Sequence, residues 1–310
     1  MISIIFPAYN EEDNVNLLHA RIKEAMVSVG MEYEIIAVDN GSTDGTLRKL
    51  KELSPIKIIE IAKNINQTTG IDAGIKNAEG DIIILIDGDR QNDPADIPKL
   101  LNKLNEGFDI VSGWRLKRED IWLRRFVSLL ANWITYKMTG LRLHDYGCAL
   151  KAYRKDILNN ISLYGETHAF LPAILFMKGA MVAEIPVNHF PRINGKSKVK
   201  FSGLFKNIGD LLSVVFLQKH MRRPLVFFGT WGITSIFLGI IAAIAAIALK
   251  ILQVRNLAQT PLPVIASLFF IMGFIFFMWG FLGEMMAKIY FEGKDRTPYL
   301  IRRITKISSS

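Results

Sequence analysis

The sequence holds a single cysteine, Cys148, which excludes an internal disulfide and suits a reducing compartment. Acidic residues are outnumbered, 29 against 38 lysines and arginines, and the five histidines show no spacing that would assemble a metal cluster. No internal repeat or low-complexity linker stands out. Residues 1–6 are too short for a signal peptide and run directly into a polar segment, so no cleavable leader is expected. Charge itself is missing from two long stretches, 224–249 and 256–283. Each exceeds the roughly 20 residues that cross a hydrocarbon core. Buried core helices rarely stay uncharged for so long, and two transmembrane helices are expected within 224–290.

The flanking bases set an orientation. Lys219, His220, Arg222 and Arg223 precede the first stretch, and Lys288, Lys294, Arg296, Arg302, Arg303 and Lys306 follow the second, against Lys250 and Arg255 between them. Bases collect on the cytoplasmic side, so both termini are expected there. A net charge of +9 would by itself admit nucleic acid as a partner. The bases cluster beside the apolar stretches, which makes anionic lipid headgroups the simpler partner.

Ahead of the membrane region, strand-like runs at 2–6, 33–38, 57–61, 82–86 and 109–112 alternate with helix-like runs at 12–28, 46–53, 67–77 and 96–105. Such alternation predicts an α/β domain with a mostly parallel, Rossmann-like sheet and helices on both faces. Asp44 and Asp93 are placed as caps or turn residues. Ligands of such sheets bind beyond the carboxyl ends of the strands. Three polar clusters fall there: 7–11, 39–46 and 87–91. An amphipathic helix is expected over 121–138, a short strand near 182–186, a basic loop at 189–200 and an interface helix at 201–220.

The last polar cluster carries the chemistry. Asp87, Asp89 and Gln91 alternate after an apolar run, and in an extended chain such residues share one face. Hard oxygen ligands in small number suit Mg²⁺ or Mn²⁺. Gly88 between them would leave room for a ligand. The competing reading is an ordinary Asp-Gly turn.

Taken together, Pro7-x-Tyr9-Asn10-Glu11, the 38–46 segment from Val38 to Thr46, Asp87-x-Asp89-x-Gln91 and Arg192-x-x-x-Gly195-Lys196-Ser197-Lys198 resemble family 2 glycosyltransferases of the GT-A fold. The resemblance extends over nearly the whole chain and is strongest to the polyisoprenyl-phosphate glycosyltransferases. It implies a cytoplasmic transferase domain at 1–200, an amphipathic region at 201–223, two spans within 224–290 and a C-terminal tail at 291–310. It also implies transfer of a monosaccharide, with inversion, from a UDP- or GDP-sugar to undecaprenyl or dolichyl phosphate, by a membrane-bound homo-oligomer.

Carried over by position, Pro7, Tyr9, Glu11 and Asp39 would hold the nucleotide, with Asp87, Arg115 and Lys198 on the nucleotide-sugar. Asp87, Asp89 and Gln91 would serve the metal. Arg124, Arg192 and Lys198 would meet the acceptor phosphate, and Asp89, Asp145 and Arg192 would act at the reacting centre. Asp145 is read as an orienting group before a proton acceptor, because a lipid phosphate is mostly ionised at neutral pH. Three positions depart from the family pattern: Asn40 for an aspartate, Asn66 for a glycine, where Asn tolerates positive φ, and Ala169 for a base. His19 is expected on a solvated face. Cys148 is expected to pack, and His168 either lines the acceptor channel or serves the structure.

Two rival functions remain at this point. A processive polysaccharide synthase would carry a Gln-x-x-Arg-Trp motif, whereas Gln218 here leads to Arg222 and Arg223 without a tryptophan. A non-catalytic membrane scaffold on the same fold would have no need of Asp87, Asp89, Arg192 and Lys198.

Overall fold

A computed structural model describes residues 1–115, 132–133, 135–159, 161, 163, 167–191, 224–253, 256–292 and 301–308. The chain divides into two units, one of Met1–Val214 with Thr297–Ser310 and one of Val215–Arg296.

The first unit is built on an eight-stranded sheet. In chain order its strands are β1 (Ile2–Ala8), β2 (Tyr33–Asp39), β3 (Ile56–Ile61), β4 (Ile82–Leu85), β5 (Ile110–Arg115), β6 (Lys151–Arg154), β7 (Val182–Val187) and β8 (Ile301–Ile307). Across the sheet the order is β7-β5-β6-β4-β1-β2-β3-β8. The β4-β1-β2-β3 core is parallel, as is the β5–β7 pair, while β6 and β8 run antiparallel to their neighbours. Helices α1 (Val15–Val29), α2 (Thr46–Lys51), α3 (Gln67–Lys76), α4 (Ile97–Asn105) and α5 (Leu171–Met177) accompany it.

The pleat of β1 explains the two layers. Ile2, Ile4 and Phe6 enter a core with Leu18, Ile22 and Met26 of α1 and Leu100 and Leu104 of α4. Ile5 turns to the opposite face, where Ile71 of α3 and Leu171 and Leu175 of α5 pack. Alternate residues of a strand point to opposite faces, so a strand covered on both sides reads as a continuous apolar run. This architecture is the expected α/β class.

Two strands depart from expectation for the same reason. β6 begins and ends on bases, and β8 reads Ile-Arg-Arg-Ile-Thr-Lys-Ile. Within β6, Lys151 finds backbone carbonyls, and Arg154 reaches those of Leu104 and Phe108 at 3.3 Å. β8 lies on the sheet edge, where charged side chains face water and discourage edge-to-edge pairing. The tail expected at 291–310 therefore contains a strand of the first unit, with Ile301 and Ile307 packed against its cores.

His19 departs too. It is 4% exposed, with Nε2 3.0 Å from the Pro55 carbonyl oxygen, and burial lowers its pKa. Asn66 sits at φ −166°, in extended backbone, and caps α3 by accepting from Thr69 N at 2.9 Å. The cap, rather than tolerance of positive φ, accounts for asparagine there. Of the helix expected over 121–138, the described stretch 135–139 is helical, and the interface helix lies outside the described residues.

The second unit pairs α6 (Pro224–Ile251) with α7 (Leu262–Glu292). Both are long and apolar enough to cross a membrane. Their approach is close: a Cβ on Gly273 would lie 2.6 Å from Ile236, and one on Gly232 would lie 3.1 Å from the Gly273 carbonyl. Small residues at such crossings let two apolar helices touch without an aqueous driving force.

Candidate active site

The loops after β1 and β2 are laced together at the carboxyl edge of the sheet. Asn10 N–H donates to Ser42 Oγ at 3.1 Å, Thr43 N–H to Asn10 Oδ1 at 2.9 Å, and Glu11 N–H to Thr46 Oγ1 at 2.9 Å. The Glu11 carboxylate accepts from Asn14 at 2.7 Å. Asp39 ends β2 opposite Ala8 and is 3% exposed. Burial raises its pKa, with the bond from Ser42 N–H at 3.2 Å opposing. Asp44 accepts from Thr46 N–H at 3.0 Å, the turn role of the two expected for it, since Gly45 stands at the N-cap of α2. Asn40 donates to the Asn66 carbonyl at 2.8 Å, tying this edge to the start of α3, while its buried Oδ1 has no hydrogen-bond partner among the described residues.

The turn after β4 is not extended. β4 stops at Leu85, and Arg90 adopts φ 62°, so a turn rather than strand alternation brings Asp87 and Asp89 together. On the side where a Cβ would stand, Gly88 makes room for β1 and not for a ligand: that place is 2.7 Å from the Pro7 carbonyl oxygen. Gln91 contributes its backbone N–H, which donates to Asp89 Oδ1 at 3.2 Å. Burial raises the Asp87 pKa to about 6, the Asp89 charge adds to the rise, and the Gln67 amide at 2.5 Å opposes it. Two neighbouring carboxylates in a partly dehydrated turn are stabilised by a cation, and their hard oxygens fit a divalent ion of the Mg²⁺ or Mn²⁺ type.

A cavity of about 70 Å³ opens beside this turn. Pro7, Gln67, Asp87, Gly147, Lys151 and His168 contribute to its walls. His168 Nδ1 lies 2.7 Å from Thr68 Oγ1, and burial followed by the nearby Lys151 charge lowers its pKa to about 4, so the ring is neutral at physiological pH.

At the end of β5, Arg115 meets Asp145 in a two-point contact, Nε to Oδ2 at 2.6 Å and Nη2 to Oδ1 at 2.9 Å. Gly147 N–H also donates to Asp145 Oδ1, at 3.1 Å. Burial works against the Arg115 charge, but the Asp145 carboxylate outweighs it and the guanidinium pKa rises. A Cβ on Gly147 would stand 3.1 Å from Arg115 Nη2, so the absence of a side chain there admits the guanidinium. Cys148 packs as expected, buried against Gly113.

Of the residues expected in the site, Pro7 and Asp87 line the cavity, while Tyr9, Glu11 and Asp39 lie on the adjoining laced loops. Asp89 and Gln91 belong to the turn, and the Arg115–Asp145 pair is joined to the cavity wall through Gly147. Arg124, Arg192 and Lys198 lie outside the described residues. Sequence reasoning missed Gln67 and Lys151. A lysine interrupting the apolar alternation of 148–153 was the available signal for the second.

The Glycosyl transferase family 2 model matches residues 3–162. A dodecaprenyl-phosphate galacturonate synthase from Rhizobium johnstonii is 36% identical over 98% of this chain and 92% of its own length. Among solved structures, glucosyl-3-phosphoglycerate synthase from Mycobacterium tuberculosis, in complex with Mn²⁺, UDP and phosphoglyceric acid, aligns with a TM-score of 0.56 at 18% identity. That alignment covers 70% of this chain and 78% of the other. The same enzyme with Mn²⁺ and UDP-glucose aligns at 0.55 and 16% identity, again over 70% and 78%. At such identities these two structures speak to the fold, which is GT-A-like.

Proposed function

The chain belongs to glycosyl transferase family 2, and from that premise we propose that it transfers one monosaccharide from a nucleoside diphosphate sugar to a polyprenyl phosphate at the cytoplasmic membrane face. The observation that carries the reading is the meeting of the Asp87–Asp89 turn and the Arg115–Asp145 pair at the carboxyl edge of the sheet. The acceptor and sugar in the name of the Rhizobium johnstonii enzyme support it and make a galacturonate donor the first to try.

In this reading an oxygen of the lipid phosphate attacks the anomeric carbon, the bond from that carbon to the diphosphate breaks, and a nucleoside diphosphate leaves. The loops after β1 and β2, with Pro7, Tyr9, Glu11 and Asp39, hold the nucleoside. Asp87 and Asp89 would hold Mg²⁺ or Mn²⁺, which when bound supplies Lewis-acid stabilisation of the departing diphosphate. Arg115, fixed in a planar fork by Asp145, is oriented for the phosphates. Asp145 spends both oxygens on Arg115 and Gly147, an arrangement suited to orienting rather than to taking a proton. Arg124, Arg192 and Lys198 are assigned to the acceptor phosphate on the strength of the motif.

Topology supports the membrane side. β1–β7 precede the apolar pair and β8 follows it, yet all belong to one unit. If α6 and α7 each cross the bilayer, the catalytic domain and the chain on both sides of the pair share one face. The bases flanking the pair make that face cytoplasmic.

The test is a panel of UDP- and GDP-sugars offered with undecaprenyl or dolichyl phosphate. A lipid bearing one sugar supports the reading. A polymer would favour the synthase alternative, and no transfer from any donor would favour a scaffold.

A further inference from the structure

Lys151 opens β6, the strand held antiparallel between β4 and β5, and is 3% exposed. An ammonium is costly inside a sheet, and an apolar side chain of similar length would avoid that cost. Its charge is met by the turn that follows Asp145: Nζ donates to the Tyr146 carbonyl at 3.2 Å and to the Cys148 carbonyl. Between those two residues sits Gly147, whose N–H donates to Asp145 Oδ1. Asp145 in turn grips Arg115. A continuous line of contacts thus runs from the buried ammonium to the guanidinium. Lys151 also lines the cavity that Asp87 and Gln67 share, and the Asp87 carboxylate lies within range of both the Lys151 and Arg115 charges.

We propose that Lys151 is a positioning residue for the donor diphosphate: it pins the 146–148 turn, so that Asp145 holds the Arg115 guanidinium where the diphosphate binds. The assignment rests on the reading of the cavity region as a nucleoside diphosphate sugar site. Lys155 offers a contrast. It donates to the Ala78 carbonyl at 2.7 Å, a similar lysine–carbonyl anchor that is absent from the cavity lining.

A double-mutant cycle on the full-length protein in detergent tests it, with UDP and GDP as probes, each with Mn²⁺, and binding read by calorimetry beside a melting curve. Lys151→Met and Asp145→Asn are each expected to weaken nucleotide binding about tenfold. Acting through one line of contacts, the pair together should cost about tenfold as well, not a hundredfold. Lys155→Met should stay within twofold of the parent, and the KM for the lipid phosphate should stay within twofold in Lys151→Met. Independent, multiplying losses would overturn the proposal, as would unchanged binding in Lys151→Met. Where that variant does not fold, Lys151→Gln, which keeps a shorter, neutral donor for the turn, takes its place: a loss of about threefold is expected, and the pair with Asp145→Asn should cost no more than Asp145→Asn alone, whereas multiplying losses would overturn the proposal. A parent protein that binds neither nucleotide overturns the donor reading itself, and the Lys151 assignment with it.

Discussion

Acidification should strip the proposed metal from this protein before it unfolds the chain. Burial and the Asp89 charge raise the Asp87 carboxyl from 3.8 to about 6. At about 1.4 kcal/mol per pH unit, the rise corresponds to at most roughly 3 kcal/mol, and partial exposure of the side chain reduces that figure. The sign follows from linkage. Between pH 3.8 and about 6 the folded metal-free protein carries a proton on Asp87 that the unfolded chain has lost, so its stability declines as pH rises through that window. A divalent cation reverses the balance by favouring the ionised carboxylate, and its binding releases the proton. Mn²⁺ affinity should therefore be flat above about pH 6.5 and weaken about tenfold per pH unit below about pH 5.5, as expected for one competing proton. Titration of Mn²⁺ by electron paramagnetic resonance at pH 5, 6 and 7 reads this directly, and melting at pH 7 should rise with added Mn²⁺. An affinity that is the same at pH 5 and pH 7 would refute the reasoning.

Three further outcomes follow from the same geometry. Asp145→Asn removes the charge from a mostly buried ion pair but keeps one acceptor, so a loss of about 2 kcal/mol is expected, near 30-fold in kcat/KM, with the pH dependence of the rate unmoved. A shifted acid limb in the pH–rate profile would instead mark Asp145 as a proton acceptor. Gly147→Ala places a methyl 3.1 Å from Arg115 Nη2 and should weaken donor binding while the melting temperature changes little; unchanged donor KM would contradict the described approach. Deleting 297–310 uncovers β3 and should destabilise the transferase domain by about 2–4 kcal/mol, the order expected for losing the packing of Ile301 and Ile307. Denaturant melts that coincide with those of the full chain would show that β8 does not pair there.

How much of this could be read from residues alone depends on how each element earns its place. β1 to β4 were legible because parallel strands covered on both faces are mostly apolar. β6 and β8 were not, because hydrogen bonds to carbonyls in one case and a sheet edge in the other make bases tolerable, and pattern alone cannot see either. The two long helices were legible because each stays uncharged for longer than a core helix usually does. Within the site, Asp87 and Asp89 lie on a turn with a left-handed Arg90 and not on one face of a continuing strand, a change of path that alternation of residue types does not reveal. His19 misled because helix polarity hides a neighbour as remote in sequence as Pro55. Gln67 and Lys151 became visible only when folding brought α3 and β6 to one cavity.

The central claim is that a single sugar, without phosphate of its own, passes to a lipid phosphate. Mass spectrometry of the lipid formed by the parent protein and by Asp89→Ala, from one nucleotide-sugar and polyprenyl phosphate, tests it most directly. The account predicts a product carrying one phosphate and one sugar, made by the parent and abolished in Asp89→Ala, while that variant still inserts in membranes. A product with two phosphates or several sugars, or near-normal turnover by Asp89→Ala, would contradict it.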